Sequence, residues 1–138
     1  MRMRVQQLRL WLPAIAWALL ILTFSGDRGA SPVTERPVRG VAGRFGEDAV
    51  FYINYGLRKA VHVAAYGILA ALNFRGVRGL RGGWRLRWSV AAVLLALLVA
   101  CLDEWQQTRS ALRTPAVADI GFDLCGAMLS QLLFRRGK

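Results

Sequence analysis

Residues 88–104 read WSVAAVLLALLVACLDE, from Trp88 to Glu104. The stretch from Trp88 to Leu102 carries no charge, and two carboxylates, Asp103 and Glu104, follow at once. A hydrocarbon core of about 30 Å asks for roughly 20 residues of helix, so an uncharged run of this length spans only with help from its flanks. Trp84, Trp88 and Trp105 stand at the ends, where tryptophan is expected to anchor a span at the two interfaces. Three other apolar stretches resemble it. The predicted spans are 8–24, 56–74, 86–105 and 115–134, with an extracytoplasmic loop over 25–55. Arg9, Arg58 and Lys59 extend the shorter runs by snorkelling their charged heads to the interface.

Composition narrows the class. The chain has 138 residues, 55% of them apolar, and a formal net charge of +11. That length suits one domain, and so much apolar sequence excludes a disordered basic tail. The expected fold is therefore all-α: a polytopic membrane bundle of four transmembrane helices with cytoplasmic N- and C-termini. A water-soluble four-helix bundle is the rival.

The charges follow topology. The N-terminal segment (Arg2, Arg4, Arg9), the middle connection (Arg75, Arg78, Arg81, Arg85, Arg87) and the C-terminus (Arg135, Arg136, Lys138) hold eleven basic residues and no acid. On the other side, Arg28, Arg36, Arg39, Arg44, Arg58 and Lys59 face Asp27, Glu35, Glu47 and Asp48, while Arg109 and Arg113 face Asp103 and Glu104. The positive-inside rule then puts both termini and the middle connection in the cytoplasm. It also argues against a nucleic-acid partner, which would want its positive charge on one shared groove. Membrane lipids are the expected partners.

The first segment is expected to be retained, because Thr23-Phe24-Ser25-Gly26 offers no A-x-A cleavage site. From Ser25 to about Gly46 the abundance of Gly, Pro, Ser and Arg predicts an irregular loop. Ala49 to Leu57 predicts either an interfacial helix or an extension of the second span.

Ionisable residues within spans are costly and point inward. On the second span Lys59, His62, Tyr66 and Asn73 share one helical face, and on the fourth Asp119, Asp123, Gly126 and Ser130 do the same. Gly126 and Ser130 form a small-xxx-small pair that permits close helix approach. If Thr114 caps the fourth helix and Pro115 opens it, Asp119 and Asp123 lie roughly 6 and 12 Å along its axis. Lys59 and His62 enter from the same side, and the third span leaves there at Asp103 and Glu104. The expectation is one polar pocket in the outer leaflet, with Arg58, Lys59, His62, Tyr66, Asp103, Glu104, Gln107, Arg113, Asp119 and Asp123 compensating one another. His62 is expected to hydrogen-bond Asp119. Such pairs either fasten short helices together or hold a ligand or headgroup.

Chemistry of other kinds finds less support. His62 is the only histidine, so no two-histidine metal site forms within one chain, and neither a metal nor another cofactor is expected. Ser25, Ser110 and Thr114 lack a motif such as GxSxG, which leans against an enzyme. Cys101 and Cys125 fall at different depths and are expected to pack as small apolar side chains rather than form a disulfide. Gln106, Arg109 and Trp105 are expected as solvated helix-end polarity.

Arg58-Lys59-x-x-His62 with Tyr66, then Asp103-Glu104-x-x-Gln107, Arg113, Asp119 and Gly126, resembles the VanZ-like membrane proteins. That family reads approximately RKxxHFxxY, then DExxQ, with Arg, Asp and Gly at fixed distances beyond, and Phe24-Ser25 resembles its FS at the end of the first span. The similarity covers about Phe24 to Leu133. Ala111-Leu112 replaces the family's usual Pro-Gly, Asp123 stands where Asn is common, and Val63 where an aromatic follows the histidine. The resemblance implies a small multi-pass protein of the bacterial cytoplasmic (inner) membrane, cell-envelope associated, whose named member is linked to low-level teicoplanin resistance. It brings no established reaction. Binding or shielding of a lipid-linked envelope precursor is the leading expectation; a membrane enzyme acting on such a lipid, or a non-catalytic partner of another membrane protein, are the alternatives.

Overall fold

The computed structural model describes residues 2–25, 31–109 and 117–136. These form α1 (Arg2–Phe24), α2 (Ser31–Ala42), a 3-10 turn (Gly43–Phe45), α3 (Glu47–Arg78), α4 (Leu86–Gln107) and α5 (Val117–Arg136), with no strand among the described residues.

Three stretches are long and apolar enough to cross a membrane: Gln6–Phe24, Glu47–Arg78 and Leu86–Gln107, with mean hydropathies of 1.5, 1.3 and 2.0. The fourth long helix, α5, has 20 residues, about 30 Å at 1.5 Å per residue. It is long enough to span but carries Asp119 and Asp123 near one end and Arg135 and Arg136 at the other.

Packing separates a membrane bundle from a water-soluble one. On α4 the buried positions are Trp88, Ser89, Ala92, Ala96, Ala100, Asp103, Glu104 and Gln107, one stripe at helical spacing. Leu94, Leu98 and Leu102 on the same helix face outward, each more than 40% exposed. A soluble helix would bury those leucines and expose the acids. In lipid, helices gain little by hiding leucine from tails equally apolar, and small residues allow close contact. α1 repeats the pattern, with Ala14 and Ile21 buried and Leu8, Leu12, Ile15 and Leu19 outside. The central cluster joins Ile21, Tyr66, Leu69, Ala70, Ala96, Ala100 and Ala127.

Side-chain pairings give the helix directions. Trp17 Nε1 donates to the Ala65 carbonyl at 2.9 Å, and a Cβ on Gly76 would come within 2.7 Å of the Trp11 ring. α1 therefore runs antiparallel to α3. Tyr66 meets Asp103, and Asn73 Nδ2 donates to the Ala92 carbonyl at 3.4 Å, so α4 is also antiparallel to α3. α5 runs parallel to α3: Lys59 pairs with Asp119, His62 with Asp123, and Gln131 Nε2 donates to the Ala70 carbonyl.

Several local expectations need correction. The stretch expected to be an irregular loop contains α2 (Ser31–Ala42), with Pro37 inside it. Pro32 falls in the first helical turn, where a missing N–H costs nothing, and Glu35 pairs with Arg39 one turn on at 2.6 Å. Thr34, Val38 and Ala42 form the inward face of α2. Arg39 also pairs with Glu47, tying α2 to the start of α3. Gly46, at φ 99°, makes the turn between them. Residues 47–55, inside the expected 25–55 loop, are helical and lengthen α3, which agrees with the second alternative read for Ala49 to Leu57.

Trp88, expected as an interfacial anchor, faces the bundle interior. It is 5% exposed and packs with Phe74 and Ala92. Cys101 and Cys125 are exposed on the outer helix faces rather than buried, because alanines take the close-packed inner positions. Trp105 is exposed, with the Arg109 guanidinium 4.0 Å from its ring centroid.

Candidate functional site

Parallel α3 and α5 bring two polar series into register. Lys59 and His62, nearly one turn apart on α3, face Asp119 and Asp123, one turn apart on α5. Lys59 Nζ pairs with Asp119 Oδ1. His62 Nδ1 lies 2.8 Å from Asp123 Oδ1. The expected His62–Asp119 bond is thus replaced: the lysine, one step nearer the start of α5, takes Asp119 and leaves the histidine for Asp123.

One turn further along α3, Tyr66 points to α4 instead. Its hydroxyl donates to Asp103 Oδ2 at 3.3 Å, and Gln107 Nε2 donates to the same oxygen at 3.2 Å. The Gln107 amide also donates to Ser25 Oγ at 2.8 Å, bringing in the end of α1. The His62 and Tyr66 rings stack with centroids 6.3 Å apart, so the two acidic groupings share a wall. Lys59 Nζ lies 5.0 Å from the Tyr55 ring centroid and 5.3 Å from that of Phe122, a cation–π setting that suits a desolvated ammonium.

Asp103, Asp119, Asp123 and Glu104 are all buried. In a low-dielectric medium charge of this kind persists only when paired and hydrogen-bonded. The ladder does this in rungs: Lys59 for Asp119, His62 for Asp123, and Tyr66 with Gln107 for Asp103. Arg113, counted in the same pocket from sequence, lies outside the described residues, as do Thr114 and Pro115. Among the described residues no set of three His, Cys, Asp or Glu side chains converges as a metal site would require.

Beside the ladder lies a groove of about 810 Å³ between α1, α2 and α3, within the size range of ligand sites. Its walls are apolar: Leu20 and Phe24 from α1, Val38 and Val41 from α2, Leu57 and Val61 from α3. Its polar lining comes from Ser25, Thr34, Asn54, Arg58, His62, Tyr66 and Asp103. Hydrocarbon and ion pairs thus meet in one space.

A model of the VanZ/LLP1 family matches residues 10–137. The chain belongs to the VanZ/LLP1 family. Family membership together with three apolar helices of spanning length makes this a membrane protein. No curated protein and no solved structure matches the chain.

In this VanZ/LLP1 family member the α3–α5 contact is set by glycine. A Cβ on Gly126 would overlap the Val63 carbonyl group, and one on Gly67 would come within 3.2 Å of the Gly126 oxygen. This approach brings the acids of α5 within reach of Lys59 and His62. Ser130 lies beyond, its hydroxyl donating to the Ala127 carbonyl at 2.8 Å.

Two polar residues of the interior escaped the sequence reading. Asn54 is buried and lines the groove; its signal was the four-residue spacing Asn54, Arg58, His62, Tyr66. Gln131 is buried against α3 and continues the stripe Asp119, Asp123, Ala127. Gln106 is exposed, as expected of solvated helix-end polarity, and in addition donates to the Leu22 carbonyl at 3.1 Å, which ties α4 to α1.

Proposed function

We propose that this protein crosses the bacterial cytoplasmic membrane four times and holds an amphipathic, lipid-linked component of the cell envelope. The hydrocarbon chain lies in the groove between α1, α2 and α3, and the headgroup meets the ladder of Arg58, Lys59, His62, Tyr66, Asp103, Glu104, Gln107, Arg113, Asp119 and Asp123. The observation that carries the reading is the composition of the groove, predominantly apolar, with Arg58, His62, Tyr66 and Asp103 among the polar side chains that line it. A site for a soluble ligand would not need such walls, and a merely structural ion cluster would not need the opening.

Four crossings are supported by the alternation of α1, α3, α4 and α5, each reversing the one before. The eleven basic residues in acid-free segments support cytoplasmic termini and a ladder in the outer leaflet. Outward placement suits a role in glycopeptide response, since such antibiotics act outside the cytoplasmic membrane.

Photo-crosslinking tests the reading. A benzoylphenylalanine at Leu57, inside the groove, should capture an envelope lipid in living cells, whereas one at Leu94, on the outer face of α4, should capture only bulk phospholipid. Capture of the same lipids from both positions would overturn it.

One observation favours a second reading, lipid chemistry rather than binding. His62 lines the groove while held by Asp123, as an acid–base histidine would be. Purified protein should then convert labelled lipid precursors, and His62→Gln should abolish the conversion. An absence of product with every precursor bound by the protein removes this reading and leaves binding intact.

A further inference from the structure

The opposite end of the bundle has the reverse electrostatic character. Phe74, Trp88 and Ala92 form a buried cluster against which Trp84 packs, and Phe134 stacks on Phe74 with centroids 5.3 Å apart. The C-terminal ends of α3 and α5, the connection after α3 and the start of α4 thus share one aromatic platform.

Arginines cover it. The Arg78 guanidinium lies 5.9 Å from the Phe74 ring centroid and that of Arg135 lies 5.8 Å from Trp84. Arg85 and Arg87 lie 5.2 and 5.8 Å from Trp88. The sequence has no Asp or Glu between Asp48 and Asp103 and none after Asp123. None of these four guanidinium groups is ion-paired among the described residues. Most telling is the Arg78 Nε–H, which is buried and has no acceptor among the described residues. A charge-bearing donor removed from water without an acceptor is costly, and an oxygen supplied from outside would remove the cost.

We propose that this arginine-covered platform binds the phosphate of an anionic phospholipid headgroup in the leaflet at this end of the bundle. Guanidinium groups match phosphate oxygens bidentately, and basic pockets between helices at the membrane surface take such headgroups. Arg78 provides the buried donor; the exposed Arg85, Arg87 and Arg135 provide attraction. A lipid bound here fastens the ends of three helices. The site stands apart from the groove and does not rest on the function proposed for it. It also differs from diffuse attraction to a basic face, because it depends on particular arginines.

Full-length protein reconstituted in phosphatidylcholine nanodiscs, with or without phosphatidylglycerol, gives the test, with free inorganic phosphate in a third arm. Phosphatidylglycerol should raise the thermal midpoint of the wild type and inorganic phosphate should not. Arg78→Lys, which keeps the charge but loses the fork, should weaken the apparent affinity for phosphatidylglycerol roughly tenfold. Arg135→Gln, an exposed change that leaves the fold alone, should weaken it in the same direction. Arg81→Gln, in the same connection but over no ring, should leave it within about twofold. Equal loss in Arg81→Gln and Arg78→Lys would overturn the site in favour of diffuse charge. So would the absence of a lipid effect, while an equal rise with inorganic phosphate would overturn the lipid headgroup in favour of a soluble anion.

Discussion

His62 Nδ1 and Asp123 Oδ1 lie 2.8 Å apart, and Asp123 is only 2% exposed. The other carboxylate oxygen, Asp123 Oδ2, is buried with no partner among the described residues. The carboxylate thus depends on one histidine. Replacing His62 with Leu should destabilise the protein by about 3 kcal/mol, because a buried acid loses its compensation. The double variant His62→Leu/Asp123→Leu should recover most of that loss in equilibrium unfolding. If the ladder merely fastens helices, the double variant keeps its envelope phenotype; if it binds a headgroup, stability returns and the phenotype does not.

Gly126 lies against the backbone of Val63 with no room for a Cβ. Gly126→Ala should push α5 from α3 and cost about 1–3 kcal/mol through overpacking. Gly121, on the same helix, faces open space, and Gly121→Ala should be neutral or slightly stabilising. Thermal midpoints of the two variants in one detergent check the contrast.

Topology is open to labelling. With the exposed Cys101 and Cys125 both replaced by Ala, a cysteine at Leu80 should react with a membrane-impermeant maleimide only after permeabilisation. One at Thr108 should react in intact cells. The opposite pattern would place the ladder in the cytoplasmic leaflet and remove its access to the envelope.

The Arg39 pairs with Glu35 and Glu47 are surface-exposed and should contribute little to global stability. Arg39→Ala should leave the thermal midpoint unchanged. It should, however, speed amide exchange across residues 31–42, because those pairs tie α2 over the groove. Hydrogen-exchange mass spectrometry measures both regions at once.

Much of this arrangement was legible in the sequence, for physical reasons that differ between elements. The long spans are visible because lipid demands unbroken apolar sequence, and the ladder because ionisable residues inside such sequence stand out. Spacing placed Lys59 and His62 on one face and Asp119 and Asp123 on another. It did not give the register between α3 and α5, which depends on where Gly126 meets Val63, and so His62 was matched to the wrong aspartate. α2 was missed because its prolines and glycines resemble a loop until Pro32 is seen to open a helix and Glu35 to pair with Arg39. Trp88 was misplaced because interfacial tryptophan is a general tendency, whereas Phe74 and Ala92 offer this one a buried seat. The groove was not legible at all, since it is made by the gap between α1, α2 and α3 rather than by any one segment.

The most direct measurement is native mass spectrometry of the protein released from nanodiscs formed straight from its own membrane. The account predicts that wild type carries one amphipathic envelope lipid of defined mass, that Val61→Trp, which fills the groove, loses it, and that Leu94→Trp, on the outer face of α4, keeps it. A wild-type protein that emerges bare, or carries lipids only in the proportions of the bulk membrane and no differently from Val61→Trp, would contradict the account.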